Sequence, residues 1–354
     1  MSTRRPVTTP LTNRRGRLTV IVLTFFLTSF GVFLAASAFA QQQQPISPST
    51  QPAAPASPQQ SAPPEGAYKI RSQVNLVVLH ASVLNDRDVF VPGLKEENFR
   101  VLEDKVEQKL SVFKQEDVPV SFGLVVDNSG SMRDKRPQVN AAALTFVKTS
   151  NPNDEGFVVN FNDDYYLDTE HDFTSNLDEM KTALERIDAR GSTALYDAVI
   201  GSVDHQRKGA RDKKVILVVT DGEDNASRHS LENAVEQAQR NDAVIYAVGL
   251  FSDDDIKHSR RAMKKARGAL TDLSKATGGL AFFPEDAKDT EAICTQIAHD
   301  IRNQYTLAYY STNQAHDGTF RTVQIDVIPP RGAGKLSVRT RAGYYAARAP
   351  SSGN

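Results

Sequence analysis

The chain has 354 residues, 40% of them hydrophobic and 24% charged, an ordinary globular composition with length enough for a large core. Its formal charge of −1 hides an asymmetry, because residues 1–40 carry five arginines and no acid, leaving 37 basic against 43 acidic side chains beyond them. That mildly acidic body argues against nucleic acid as a main partner, and a single cysteine, Cys294, excludes an intrachain disulfide and reads as a small buried hydrophobe.

At the N-terminus, arginines precede the apolar run LTVIVLTFFLTSFGVFLAAS, and Ala38-Phe39-Ala40 follows. A basic region, an apolar region and a small-x-small site predict a cleaved secretory signal over 1–40 and a periplasmic or secreted location. The run is also long enough to span a bilayer, so retention as a membrane anchor is the alternative. Residues 41–66, rich in Gln, Pro, Ser and Ala, lack the large apolar side chains needed to fold and predict an extended, disordered spacer.

From residue 67 the pattern alternates with period two, as in VNLVVLHASVLN and FRVLED, which predicts short β-strands through 117. From 118 to 303 the grammar becomes strand, helix, strand. The runs VSFGLVV, GFVVNF, KVILVVT, AVIYAVGL and GLAFF are separated by helical segments. One of these has Leu177, Met180, Leu184 and Ile187 at helical spacing, with Ser175 as its expected cap. Continuous apolar strands between helices predict an α/β, Rossmann-like, doubly wound and mostly parallel sheet, with its ligand site at the carboxyl ends of the strands. Strands return over 304–348, so the α/β unit is expected to be inserted in, or flanked by, a small all-β domain built from 67–117 and 304–348.

Three oxygen-bearing segments fall where strands of the α/β unit should end. DNSGSM supplies Asp127, Ser129 and Ser131; GSTAL supplies Thr193; TDG supplies Asp221. Singly, each reads as a helix cap or a common turn. Jointly they occupy equivalent strand ends, which converge on one edge of a doubly wound sheet. The set offers hard oxygens without imidazole or thiolate, which excludes a typical zinc or copper site. Two carboxylates and three hydroxyls suit a small octahedral cation that keeps some water, Mg²⁺ before Mn²⁺ or Ca²⁺. The ion is left under-neutralised, so a carboxylate from another molecule can complete its shell. Gly130 is expected to let the loop approach the cation.

On these residues the chain resembles a von Willebrand factor type A domain with a complete metal-ion-dependent adhesion site. Asp127, Ser129 and Ser131 match its D-x-S-x-S element, Thr193 its central threonine and Asp221 its distal aspartate. The resemblance implies a divalent cation ligated directly by the serines and partly through water by the aspartates, with one position for a partner's Asp or Glu. The flanking β segments resemble a bacterial group of exported proteins related to this family.

Other features carry less. NDDYY (162–166) and SDDDIKHS (252–259) lack the glycine and terminal glutamate of an EF-hand loop and read as solvated acidic loops. Glu223 and Asp224 stand beside Asp221 and read by default as solvated surface acids, with tuning of the field at the ion as the alternative. SRRAMKKAR reads as a solvated helix face. No P-loop, nucleophile elbow or metal-spaced histidines occur, and no general base accompanies the five oxygens, so no enzyme and no small-molecule substrate are expected. The leading function is an exported module binding an acidic group on a protein partner through the cation, with membrane contact only if the N-terminal segment is retained. The alternatives are a structural component of an envelope complex, in which the cation only stabilises the fold, and, third, a metal-dependent hydrolase.

Overall fold

The computed structural model describes residues 76–348 apart from 88, 187–188, 252–259 and 333. The expected signal, the spacer, Ile187 and the acidic loop at 252–259 lie outside the described residues. Among the described residues no helix is long and apolar enough to cross a membrane.

The chain enters through four strands, β1 (Leu76–Leu84), β2 (Phe99–Glu103), β3 (Val106–Gln108) and β4 (Leu110–Gln115). It then builds the α/β unit. In order these elements are β5 (Val120–Asp127), α1 (Arg136–Lys148), β6 (Glu155–Phe161), β7 (Tyr165–Leu167), α2 (Leu177–Glu185), α3 (Leu195–Gln206) and β8 (Lys213–Thr220). The unit continues with α4 (Leu231–Arg240), β9 (Ala243–Gly249), α5 (Arg260–Thr277), β10 (Ala281–Phe282) and α6 (Thr290–Arg302). Four more strands follow, β11 (Tyr305–Tyr310), β12 (Phe320–Val327), β13 (Ser337–Arg339) and β14 (Gly343–Tyr345).

The α/β sheet has six strands in the order β10-β9-β8-β5-β6-β7. All neighbours run parallel except the edge strand β7, which is antiparallel to β6. Helices cover both faces, so the central strands have no solvent side and every residue of β5 is buried. Phe122, Leu124 and Val126 pack with side chains from α1, α2 and α6 on one face. Val125, Val159 and Val218 pack with α3, α4 and α5 on the other. Cys294 lies buried in the first of these cores, and burial pushes its thiol up to about 12, which leaves it an inert hydrophobe at neutral pH.

The cap of α2 differs by one residue from the sequence expectation. Asn176, in an extended conformation, accepts the amides of Asp178 and Glu179 through its side chain, at 2.9 and 3.4 Å. Ser175 precedes the capping position, and Asn ranks with Ser as an N-cap, so sequence alone could not choose between neighbours.

The remaining strands form two antiparallel sheets, β13-β1-β11-β4 and β14-β12-β2-β3. Each mixes strands that precede and follow the α/β unit, as in the pairing of β1 with β11 and of β2 with β12. Between them lies one apolar core that includes Leu79, Val101, Tyr305, Leu307 and Tyr309. At its margin the buried Glu103 accepts from Ser311 Oγ at 2.6 Å, from Tyr309 and Tyr344 hydroxyls at 2.9 Å each, and from Arg321 at 3.3 Å.

Candidate metal centre

Strand β5 ends in Asp127, which the parallel sheet carries to its carboxyl edge while keeping the side chain fully buried. One carboxylate oxygen accepts the Ser129 amide at 2.7 Å and the other accepts the Thr220 hydroxyl at 2.6 Å. Burial pushes this carboxyl up to about 6; the hydrogen bonds from Thr220 and Ser129 oppose the rise and the nearby charge of Asp221 adds to it. A buried carboxylate that resists ionisation in this way is stabilised by any cation placed against it.

The chain then turns through a short 3₁₀ segment, Gly130–Met132, preceded by Ser129 in extended conformation, whose side chain makes no capping hydrogen bond to it. The turn brings the Ser129 and Ser131 hydroxyl oxygens to 3.2 Å from each other, and Ser131 donates to Asp221 at 2.8 Å. Asp221 follows directly on β8, beside β5 in the sheet. Thr193 is clipped to the loop after Asp221 from both sides: its amide donates to Asn225 Oδ1 at 2.9 Å, and its carbonyl accepts the amides of Asn225 and Ala226. A Cβ on Gly222 would sit 3.4 Å from Thr193 Oγ1, so this hydroxyl reaches the Asp221 turn. The fold therefore gathers Asp127, Ser129, Ser131, Thr193 and Asp221 from three loops at one sheet edge. Four of them are buried, and Ser131 is the exposed one, which marks the side open to solvent.

The protein atoms around Gly130 do not themselves demand glycine. A Cβ there would meet nothing nearer than the Gly191 carbonyl at 3.9 Å, to which the Gly130 amide already donates at 3.2 Å. The position that demands glycine is Gly191, at φ +78°, where a side chain would also collide with the Asp163 carboxylate. Asp163 accepts the Ser192 amide at 2.9 Å, so this acid of the NDDYY stretch braces the threonine loop. Glu223 pairs with Lys265 of α5, and Asp224 accepts from the Tyr196 amide and the Ser227 hydroxyl at 3.0 and 2.5 Å. Both acids beside Asp221 are engaged in holding loops together.

Several participants escaped the sequence reading. Lys135 donates to the free oxygen of Asp221 at 2.6 Å and to the Leu250 carbonyl at 3.0 Å, placing an ammonium on the distal aspartate. Arg136 is buried beneath the site and bonds the Leu184 carbonyl at 2.5 Å; burial lowers its guanidinium to about 10 and the charge of Asp127 opposes that fall. Asn128 is fully buried with no partner for either amide atom. The signal available in sequence was the run RDKRP directly after SGSM, three basic residues, Arg133, Lys135 and Arg136, following an acidic strand end.

The donor set fits a hard divalent cation: oxygens throughout, one carboxylate already desolvated, and hydroxyls close enough to share one ion. Among the described residues no group of three His, Cys, Asp or Glu is arranged for a metal, so any cation here depends on the hydroxyls.

The family model described as von Willebrand factor type A domain matches residues 123–313, from β5 through β11. No curated protein matches the chain significantly. Similar solved structures include a conserved hypothetical protein BatB from Bacteroides thetaiotaomicron, 16% identical over 51% of this chain and 98% of that one, with a TM-score of 0.42. A von Willebrand factor type A protein from Catenulispora acidiphila is 12% identical over 79% of this chain and 76% of that one, with a TM-score of 0.47. The pilus adhesin SpaC from Lactobacillus rhamnosus GG is 14% identical over 72% and 48%, with a TM-score of 0.43. The family match spans more than half of the chain and includes every strand end that contributes to the site, so the protein belongs to the von Willebrand factor type A domain family.

Proposed function

We propose that the protein is an exported interaction module that engages an acidic group of a protein partner through a divalent cation, Mg²⁺ first. The observation that supports this best is the hydrogen-bonded chain from Ser129 through Ser131 to Asp221, next to a desolvated Asp127 and with Thr193 reaching the Asp221 turn. Asp127, Ser129, Ser131, Thr193 and Asp221 would hold the ion, which would supply positive charge and one position for an incoming Asp or Glu.

The chain's own residues keep that arrangement in register. Thr220 and the Ser129 amide fix both oxygens of Asp127, and Asn225 fixes the Thr193 loop. Lys135 neutralises Asp221 and would have to yield it, at least in part, to the ion. With both Asp127 oxygens engaged and no histidine in the cluster, no group is free to move a proton to or from a substrate, which favours binding over catalysis.

A pull-down from bacterial envelope extract, run with Mg²⁺ and again with EDTA, tests the proposal. Partner capture should need Mg²⁺ and should vanish in Asp127→Ala. A partner whose affinity ignores both treatments would overturn it. A melting shift with Mg²⁺ alongside metal-independent capture would favour the purely stabilising role.

A further inference from the structure

The carboxyl edge of the α/β sheet carries more than the metal centre. Helix α5 lies between β9 and β10, which run parallel, so its first turns stand at the edge that bears Asp127 and Asp221. The contact is direct, because Lys265 pairs with Glu223, two residues beyond Asp221. Arg267 adds a second anchor: its guanidinium lies 4.2 Å over the Phe283 ring, which stacks on Phe251 just beyond β9.

Arg260, Arg261 and Lys264 have no such engagement. All three are exposed, and among the described residues no acid stands within ion-pair distance of them. One turn along the helix Arg260 meets Lys264 and Arg261 meets Lys265, so the spacing that could supply an acid supplies a second cation. Like charges at that spacing destabilise a helix. The sequence does not offset them nearby: residues 253–267 hold six basic side chains against three acidic ones. The acids on the facing loop are already engaged, Glu223 by Lys265 and Asp224 by Tyr196 and Ser227. This excess stands out in a chain that beyond residue 40 is mildly acidic.

We propose that the exposed basic side of α5 is a second contact for the partner of the metal centre, and that this partner is a protein segment carrying several Asp or Glu residues. The inference rests on the cation-bridged reading above. One carboxylate of the segment would sit on the ion, and its neighbours would meet Arg260, Arg261 and Lys264. A segment with a single acid satisfies the ion and leaves the helix unmatched. A divalent cation adds positive charge at the same edge, so both contacts attract the same ligand.

Fluorescein-labelled hexaglutamate serves as the probe, with a labelled Gly/Ser peptide bearing one Glu as control, and anisotropy in Mg²⁺ is the measurement. The test variant combines Arg261→Gln with Lys264→Gln. Both positions are exposed, Gln is a good helix former, and Lys265 stays on Glu223. Hexaglutamate should bind more tightly than the control peptide. The double variant should weaken it about fivefold to tenfold, as expected for losing two exposed charge contacts, with a smaller effect on the control. EDTA and Asp127→Ala should weaken both peptides. Hexaglutamate bound no more tightly than the control, or weakened by EDTA but indifferent to the double variant, would overturn the basic contact and leave the metal reading standing. Binding that needs Arg261 and Lys264 but ignores EDTA and Asp127→Ala would overturn the metal reading, and with it the two-part ligand. Tighter binding to phosphatidylserine vesicles at matched acidic charge would overturn a protein segment as the partner.

Discussion

Asp221 divides its carboxylate between the Ser131 hydroxyl and the Lys135 ammonium, so a cation approaching it competes with a charge the chain already supplies. Replacing that ammonium with a neutral side chain of similar length removes the competitor and its repulsion. Lys135→Gln should therefore bind Mg²⁺ more tightly, by roughly tenfold, in a calorimetric titration. An unchanged affinity would mean that the ammonium leaves Asp221 without cost. His80 makes a second residue-scale prediction. Its imidazole takes up a proton near pH 6.5 when unfolded but only near 3 when folded, so stability is lost as pH falls through that window. Melting temperature followed from pH 7 to 3 should fall less steeply in His80→Gln than in the parent chain. At this scale the gathering of Asp127, Ser129, Ser131, Thr193 and Asp221 at one sheet edge was legible because hydroxyl and carboxylate types at strand ends are chemically distinctive. Lys135 and Thr220 were not, since their roles depend on side-chain reach across loops that sequence spacing does not specify.

Helices and strands were legible to the extent that their signals were periodic. Strand β5 reads as a continuous apolar run because both of its faces are covered, and the structure buries all eight of its residues. The edge strand β7 gave no such signal: it has three residues, exposed Tyr165, Tyr166 and Leu167, and pairs antiparallel to β6 only because the chain doubles back after Asp164. Helix boundaries were less legible than helix existence, as the one-residue difference at α2 shows. That difference can be measured. Asn176→Ala should cost about 1 kcal/mol in urea unfolding, while Ser175→Ala should cost only a few tenths. The opposite ranking would restore Ser175 as the cap.

On the scale of the whole molecule, the two β segments showed in the sequence as strands, but their interleaving into two sheets did not. Pairing partners more than 200 residues apart, such as Leu79 with Leu307, leave no local pattern. The Glu103–Arg321 pair spans the same separation and is almost wholly buried. Arg321→Met would leave Glu103 buried with its hydroxyl donors but without its counter-charge. A loss of about 3–5 kcal/mol is expected, read from denaturant unfolding. A loss below about 1 kcal/mol would show that the three hydroxyls alone stabilise the carboxylate. The interleaving also has a mechanical consequence. Strand β1, the first described element, lies inside its sheet with β11 on one side and β13 on the other. A pull directed along β1 must shear its hydrogen bonds together, whereas a strand pulled across its axis is unzipped one bond at a time. Because β1 is hydrogen-bonded to the strand that leaves α6, a pull on β1 is shared by the chain entering the α/β unit and the chain leaving it, so the sheet, and not β5 alone, takes the load first.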